Sequence, residues 1–190
     1  MIRVIAGDDA NAIASIYKPY VVETAVSFEL IPPTKAEMKE RIDQTLLHYP
    51  FLVFEEEGCV KGYAYATVFT SARPAYEHSA EVSIYLDQKS RGKGYGKKPY
   101  EELEKILIKQ NVCTVYACIA MPSLDGDPYL DNSSFLFHKA VGFTLCGIFE
   151  MCGYKFNRWY NMVWMGKKIA EYKDLILPFV PFPDLEVNCL

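Results

Sequence analysis

One segment, residues 84–106 (IYLDQKSRGKGYGKKPYEELEKI), limits the possible folds of this chain more than any other. It follows apolar residues at every second position of a predicted strand over Ser79–Leu86. Three glycines two residues apart come next, and then a helical pattern over residues 95–110. A strand that passes through glycines directly into a helix is typical of a layered domain of strands and helices, in which backbone N–H groups gather at the helix start.

The glycine turn matches neither of two common phosphate motifs. A P-loop would need glycine where Arg91 stands and a hydroxyl where Lys98 stands, and the dinucleotide fingerprint fails at its third glycine from either possible start. What is left is R-x-x-G-x-G, in which Gly94 and Gly96 are surrounded by positive charge. This turn is explained equally well as an anion cradle at a helix N-terminus or as a tight turn with a solvated charge run.

Composition indicates a small anionic ligand rather than a nucleic acid. The 190 residues suit one domain, and a net charge of −4 with a pI near 5.5 makes the positive charge of the turn a local feature. Six cysteines without a C-x-x-C pair, and a start without a signal peptide, predict reduced thiols in a cytoplasmic protein. The longest apolar run, LILPFVPF, is too short for a membrane span, so no membrane partner is expected.

Strands and helices are predicted along the whole chain without a repeat or a linker. A capping box of Thr34 and Glu37 starts the second helix, and Gly142 ends the last one, which runs through Val141. The first helix starts at Asp8 or Asp9. Besides Ser79–Leu86, the predicted strands cover residues 3–5, 51–54, 63–69, 112–117, 143–149 and 162–165. The expected fold class is α/β (α+β), with one central mixed, mostly antiparallel sheet flanked by helices on both faces.

Four further stretches, in order along the chain, make the pattern specific to a family. They are SFEL-PPT-EM-RI (residues 27–42), RPAYEHSAEVSIYLD (73–87), SFLFHKAVGF (134–143) and GYKFNRWYNMV (153–163). Together with R-x-x-G-x-G, they resemble the GNAT superfamily of N-acetyltransferases, and within it the phosphinothricin N-acetyltransferase branch. The resemblance implies a single GNAT domain over residues 1–168. It leaves an apolar tail, residues 169–190, expected to pack on the domain or on a dimer partner, since the branch resembles known homodimers.

The resemblance implies that acetyl-CoA is the co-substrate and that no metal is used. The acidic stretch LDGDPYLD also fails the spacing of a calcium-binding EF-hand loop. Backbone groups at the end of the predicted strand, residues 84–86, would bind the pantetheine arm, and the glycine turn would bind the pyrophosphate. The implied cofactor-binding residues are Ile84, Tyr85, Leu86, Arg91, Gly92, Lys93, Gly94, Tyr95, Gly96 and Lys97, with Asp131 or Asn132 at the position of the family's usual asparagine.

Two residues are candidates for proton transfer by the same resemblance. Glu81 occupies the family's acidic position and would act as the general base, the alternative being a surface glutamate on a half-exposed strand. His138 would protonate the departing thiolate or help to deprotonate the amine, the alternative being a packed histidine with a satisfied ring. The implied acceptor-binding residues are Phe28, Arg73, Tyr76, Lys155 and Asn161, although the branch usually carries Asp at position 161.

The resemblance therefore predicts direct transfer of an acetyl group to the amine of a small amino-acid-like acceptor. Phosphinothricin and methionine sulfoximine are the family's characteristic acceptors. Two alternatives stay open at the level of sequence. One is a protein or peptide acetyltransferase, and the other is a non-catalytic acyl-CoA-binding module.

Overall fold

The computed structural model describes residues 1–70 and 73–185. Its strands are β1 (Ile2–Val4), β2 (Phe51–Glu56), β3 (Cys59–Val68), β4 (Ser79–Leu86), β5 (Thr114–Pro122), β6 (Thr144–Lys155) and β7 (Arg158–Lys168). Its α-helices are α1 (Ala10–Val22), α2 (Lys35–Leu46), α3 (Lys97–Lys109) and α4 (Ser133–Ala140). In this part of the chain, no helix is both long and apolar enough to cross a bilayer.

The strands form one sheet in the order β1-β2-β3-β4-β5-β7-β6. Only β4 and β5 run parallel, and every other neighbouring pair is antiparallel. Helices α1 and α2 pack their apolar side chains on one face of the sheet, and α3 packs on the opposite face together with apolar residues of α4. The predicted mixed, mostly antiparallel sheet with helices on both faces is therefore confirmed.

Local sequence signals place several element ends correctly. The Thr34 backbone N–H donates to the Glu37 carboxylate at 2.7 Å, and the Glu37 N–H donates to the Thr34 hydroxyl at 3.2 Å, which completes the capping box. Gly142 adopts a φ of +98° after α4, as a helix-ending glycine does. Pro99 lies in the first turn of α3, where its missing N–H leaves no helical hydrogen bond unmade.

The hairpin of β6 and β7 is longer than predicted. The segment 153–161 was expected to connect two short strands, but Gly153 pairs with Tyr160 and Lys155 pairs with Arg158. The turn itself is Phe156-Asn157, and both residues have positive φ, +50° and +56°. This conformation matches a two-residue hairpin turn, and the prediction was wrong because the turn lacks the glycine that usually marks one.

Part of the apolar tail contacts the end of α3. The side-chain amide of Gln110 donates to the carbonyls of His48 and Val180 at 2.7 and 2.8 Å, and the Val180 N–H donates to the Gln110 carbonyl at 3.2 Å. Phe182 is buried in the same core cluster as α3. These contacts support a tail that packs on its own domain, although residues 186–190 of the predicted tail lie outside the described residues.

Gly62 on β3 sets how closely β3 approaches β4. A Cβ at this position would lie 2.5 Å from Leu86 Cδ2 and 2.8 Å from the Tyr85 carbonyl oxygen. We therefore expect Gly62→Ala to lower the free energy of unfolding by about 1–3 kcal/mol, the usual cost of overpacking. Chemical denaturation will measure it, with Gly147→Ala on β6 as the matched control, because nothing lies within 4 Å of a Cβ there. Equal losses in both variants would contradict this prediction.

Candidate active site

The candidate site is a cleft where β4 and β5 separate. The two strands pair only over Ser79–Glu81 and Thr114–Tyr116, although β4 continues to Leu86 and β5 continues to Pro122. Beyond the last pair, Glu81 with Tyr116, a cavity opens between the strands. It is lined by Val26, Val82, Ser83, Ile84, Tyr85, Tyr100, Ala117, Cys118, Ile119, Ala120, Ser134 and His138. A parallel pair that opens in this way leaves unpaired backbone groups on both strands, which suits an elongated amide-bearing ligand.

The backbone of β4 alternates between its neighbour β3 and the cleft. The Asp87 N–H donates to the Lys61 carbonyl of β3 at 2.8 Å, so the backbone groups of Tyr85, two residues earlier, also point to β3. The backbone N–H and C=O groups of Ile84 and Leu86 accordingly point away from β3, into the cleft. The hydroxyl of Tyr20 lies 2.6 Å from the Leu86 carbonyl oxygen, to which it donates. Ile84 therefore has the freest backbone of the three predicted pantetheine contacts.

The glycine turn stands at the end of this cleft, before α3. Gly92 and Gly94 both adopt the left-handed conformation, with φ of +73° and +79°, and neither would crowd an added Cβ. Gly96 is the N-cap residue of α3, and no side chain of the described residues caps that helix end. The free N–H groups of a first helical turn attract an anion, and the helix dipole reinforces the attraction. The turn therefore has the geometry of an anion site.

Charged and polar side chains join this turn to the start of α4. The Arg91 guanidinium donates to the Ser133 hydroxyl at 3.3 Å and lies over the ring of Tyr20. Asp131 accepts a hydrogen bond from the Ser133 N–H at 2.9 Å, and its bonds to Ser133 lower the pKa of this carboxyl. Asn132 is the N-cap residue of α4 but makes no side-chain cap. Arg91 and Asp131 therefore meet at Ser133, which follows Asn132 in the chain.

The other predicted residues of the turn differ in where they point. The Tyr95 hydroxyl donates to Glu56 at 3.0 Å, so this side chain is bound to β2. Lys97 forms an exposed ion pair with Glu101 at 3.6 Å. Lys93 is exposed. Among the predicted residues of the turn, Arg91 and Lys93 therefore offer positive charge to an anion, and Lys97 divides its charge between an anion and Glu101.

Glu81 is half-buried at the point where the two strands part. Burial raises the pKa of its carboxyl above the ordinary value. Desolvation, together with the nearby Glu81 carboxylate, raises the pKa of the Cys118 thiol on β5 to about 12. A carboxylate with a raised pKa suits a general base, whereas a thiol with this pKa stays protonated and is a poor nucleophile.

His138 is buried, and both ring nitrogens have partners. Its Nδ1 lies 2.7 Å from the Ser134 carbonyl oxygen, and its Nε2 lies 3.0 Å from the Tyr100 hydroxyl. Because a carbonyl can only accept, Nδ1 carries the proton, and the Tyr100 O–H donates to Nε2. Burial lowers the pKa of His138, so the neutral ring is favoured. This geometry matches a packed histidine with a satisfied ring, and it places the Tyr100 hydroxyl at the cleft.

The lowered pKa of His138 predicts a loss of stability in mild acid. An unfolded histidine takes up a proton near pH 6.5, but the folded ring resists it, so the unfolded state binds more protons as the pH falls below that value. The stability present above about pH 6.5 should therefore decrease towards pH 5. Thermal melting across this range should show a smaller decrease for His138→Gln than for wild type. His48→Gln, at an exposed histidine, is the control and should follow wild type.

The loop between α1 and α2 lines the cavity through Val26 and carries Phe28, one of the predicted acceptor residues. Tyr17 bonds to the Ser27 hydroxyl at 2.7 Å, and the Lys155 ammonium donates to the Ser27 carbonyl at 2.6 Å. Arg41 binds the Glu29 carboxylate through two nitrogens at 2.7 and 3.1 Å. Phe28, between these anchored residues, is 38% exposed, and its ring fills the space where a Cβ of Gly153 would be. These hydrogen bonds fix the loop on both sides of Phe28, and the partly exposed Phe28 ring packs against Gly153.

The predicted acceptor residues do not all come together. Lys155 is buried and bound to Ser27, and burial lowers the pKa of its ammonium. The amide oxygen of Asn161 accepts from the Met151 N–H at 2.9 Å. Arg73 is exposed beside a short 3₁₀ turn whose Tyr76 packs on Phe69. None of the polar or aromatic contacts of the described residues joins Arg73 or Tyr76 to Phe28.

Two residues of the site escaped sequence reasoning. Tyr100 lies in the first turns of α3 and shares the cleft with His138, and Tyr20 of α1 bonds to Leu86 across the sheet. The chain has 14 tyrosines, so no single one stood out as a site residue. The helical spacing of Tyr20 indicated only a core position. Among the described residues, no group of three or more His, Cys, Asp or Glu side chains could hold a metal ion.

Comparison with known proteins identifies relatives over most of the chain. A phosphinothricin N-acetyltransferase from Alcaligenes faecalis is 34% identical over 178 residues, which cover 93% of this chain and 86% of the relative. An L-methionine sulfoximine/L-methionine sulfone acetyltransferase from Salmonella typhimurium is 28% identical, covering 86% and 91%. The crystal structure of a GNAT superfamily phosphinothricin acetyltransferase from Sinorhizobium meliloti, in complex with AcCoA, matches with a TM-score of 0.80 at 31% identity, covering 96% and 97%.

These similarities cover most of the chain. A family model described as an acetyltransferase (GNAT) domain covers residues 2–164. The predicted resemblance and the predicted single-domain GNAT fold are thereby confirmed. The chain belongs to the GNAT superfamily of N-acetyltransferases and to its phosphinothricin N-acetyltransferase branch.

Proposed function

We propose that this acetyltransferase moves an acetyl group from acetyl-CoA to the amino group of a small amino-acid-like acceptor. One observation carries the proposal. Along β4, the half-buried Glu81 lies at the last pair with β5, and the strand then runs past the cavity to the glycine turn and the N-terminus of α3. Acetyl-CoA is elongated and carries its pyrophosphate and its thioester far apart. Its binding site therefore needs an anion site at one place and a base at a distance from it.

Residues of this chain suit the binding of acetyl-CoA. The N–H groups of the glycine turn would bind the pyrophosphate, with Arg91 and Lys93 beside it. The backbone of Ile84 would pair with the pantetheine arm as an added strand. When bound, acetyl-CoA supplies the activated acetyl group as a thioester.

Glu81 would prepare the acceptor for attack. An ammonium becomes nucleophilic only after it loses a proton, and a carboxylate whose pKa is raised by burial is a better base than an exposed one. His138 would act through Tyr100, because both of its ring nitrogens are already bonded. The protonated Cys118 thiol favours direct transfer over an acetyl-cysteine intermediate.

The acceptor would bind against Phe28, and Arg73 and Tyr76 would reach it from the short turn before β4. Arg73 is exposed and, as a guanidinium, suits a carboxylate. Lys155 would contribute mainly by holding Ser27, because its ammonium is buried against that carbonyl. This arrangement fits the relatives whose names record phosphinothricin and methionine sulfoximine as substrates.

Thiol release from acetyl-CoA will test this function. The wild type is mixed with acetyl-CoA and, one at a time, phosphinothricin, methionine sulfoximine, methionine sulfone, the protein amino acids and short peptides. We expect release with at least one free amino acid, and mass spectrometry of the product should show one acetyl group on its amine. A preference for peptides would instead indicate a protein acetyltransferase. Acetyl-CoA binding without turnover on any amine would indicate a binding module.

We also propose that the protein is a homodimer. Large apolar side chains on β6 and at the start of β7 are exposed, and β6 is an edge strand of the sheet. They are Leu145, Ile148, Phe149, Met151, Tyr154 and Trp159, each about half exposed. A group of six exposed, large apolar side chains along one edge of a sheet is typical of an interface between protein chains. Light scattering of the purified protein should give a mass near twice 21.7 kDa, and Phe149→Glu should halve it.

A cytoplasmic location agrees with the expected co-substrate and with the cysteines. Within residues 1–70 and 73–185, the cysteines at positions 59, 113, 118, 146 and 152 form no disulfide with one another. Thiols persist in reducing compartments, and acetyl-CoA is a cytoplasmic metabolite. Recovery of the native protein in the cytosolic fraction of its host would support the location, and recovery from the medium would contradict it.

A further inference from the structure

A three-residue bulge interrupts β6 beside the acceptor loop. Phe149 pairs with Met162 and Gly153 pairs with Tyr160, so Glu150, Met151 and Cys152 stand opposite the single residue Asn161. Met151 has a φ of +50°, the left-handed conformation that side-chain-bearing residues rarely adopt. Such bulges are specific local structures that redirect a strand, and this one requires something to hold it.

The side chain of Asn161 holds the bulge. Its amide oxygen accepts the hydrogen bond of the Met151 N–H at 2.9 Å, in place of the backbone partner that a regular ladder would supply. Asn161 itself is fixed, because β7 pairs with β5 at this point through Asn161 and Met121. The bond therefore ties the irregular part of the edge strand to the interior of the sheet.

The bulge determines which residues meet the acceptor loop. Gly153 is the first paired residue after it, and a Cβ there would overlap a carbon of the Phe28 ring. Lys155, two residues further on the same face of the strand, donates to the Ser27 carbonyl. A shift of register by one residue would bring the side chain of Cys152 or Tyr154 to the place of Gly153, and would displace the Phe28 ring.

We propose that Asn161 is a positioning residue: by binding the Met151 N–H, it fixes the register in which Gly153 and Lys155 receive the Ser27–Phe28 segment, and so shapes the acceptor side of the site. This rests on the proposed function, and it assigns Asn161 to the support of the site instead of to contact with the acceptor. Within the described part of the chain, the Asn161 side chain makes its hydrogen bond through the amide oxygen alone, so a carboxylate can replace it.

Two substitutions separate the positioning role from direct contact. Asn161→Ala removes the acceptor oxygen and should raise the KM for the amine about tenfold, with the KM for acetyl-CoA within about twofold of wild type. Asn161→Asp keeps an oxygen for the Met151 N–H and should hold the KM for the amine within about threefold of wild type. If Asn161 instead touched the acceptor, the new negative charge would change this KM as much as the alanine does, and the proposal would be wrong.

A second variant tests the step from the bulge to Phe28. Gly153→Ala leaves Asn161 in place but puts a methyl group into the Phe28 ring, and should raise the KM for the amine by a similar factor. The double variant Asn161→Ala/Gly153→Ala should be no worse than either single one, because both displace the same ring. Fully additive effects would overturn the proposal. Gly153→Ala also provides the test if Asn161→Ala fails to fold.

Hydrogen exchange gives a readout that does not depend on activity. The Met151 amide should exchange at least about tenfold faster in Asn161→Ala than in wild type, and at the wild-type rate in Asn161→Asp. If no amine is acetylated, the proposed function fails, but this measurement still decides whether Asn161 holds the bulge. Unchanged exchange in Asn161→Ala would overturn the proposal even in an active enzyme.

Discussion

Glu81→Gln is expected to lower kcat by about 10²–10⁴-fold, the usual contribution of a general base. Gln is similar in size and shape, so the strand should keep its structure, but it cannot accept a proton from the acceptor ammonium. Glu81 is half-buried at the last pair of β4 and β5, where the two strands separate. Steady-state thiol release will measure kcat, and the KM for acetyl-CoA should stay within about twofold of wild type.

The kcat/KM of the wild type should depend on pH through the ionisation of Glu81. Glu81 accepts a proton only when ionised, so kcat/KM should fall as the pH drops through its pKa. Burial raises this pKa, and the acidic limb should therefore lie at a higher pH than for an exposed glutamate. The limb should be absent from the residual activity of Glu81→Gln. Unchanged turnover in this variant would show that another group, or water alone, removes the proton.

The second large effect is expected at the glycine turn. Gly94→Ala places a side chain at a φ of +79°, which costs roughly 1–2 kcal/mol. No neighbouring atom lies within 4 Å of the added Cβ, so the cost is one of backbone conformation. In the free protein, the turn can relax to avoid it, but binding the pyrophosphate must restore the left-handed conformation. The KM for acetyl-CoA should therefore rise about 5–30-fold, with the KM for the amine little changed.

Gly58→Ala is the matched control for this experiment. Gly58 has nearly the same φ, +73°, and equally open surroundings, but it lies in the turn between β2 and β3 and carries none of the predicted cofactor contacts. In thermal melting, Gly94→Ala should lose no more stability than Gly58→Ala, and only Gly94→Ala should bind acetyl-CoA more weakly by calorimetry. If both variants bind acetyl-CoA as wild type does, the glycine turn is not the pyrophosphate site.

Much of the fold could be predicted because its signals are local. The alternation of Ser79–Leu86, the capping box of Thr34 and Glu37, and the helix-ending Gly142 each depend on residues within a few positions of one another. The same holds for R-x-x-G-x-G, whose place before α3 follows from a strand pattern that gives way to a helical one. The resemblance added the expected roles of Glu81 and the acceptor residues, which spacing alone did not provide.

The candidate site depended on contacts between distant parts of the chain. The Tyr100 bond that occupies His138 and the Tyr20 bond that engages Leu86 join residues 38 and 66 positions apart. No sequence pattern distinguishes these tyrosines from others in the core. The bulge opposite Asn161 also escaped prediction, because Met151 is an unusual residue for a left-handed conformation.

The sequence by itself determined the elements of this protein, the position of the glycine turn and the family to which it belongs. Only the tertiary structure decided where β4 and β5 separate, which backbone groups face the cleft, and how Ser27 and Phe28 meet the β6–β7 hairpin. The physical reason is the range of the interactions. Periodicity and capping act over a few neighbouring residues, whereas the cleft is formed by hydrogen bonds and ring contacts between segments that only folding brings together.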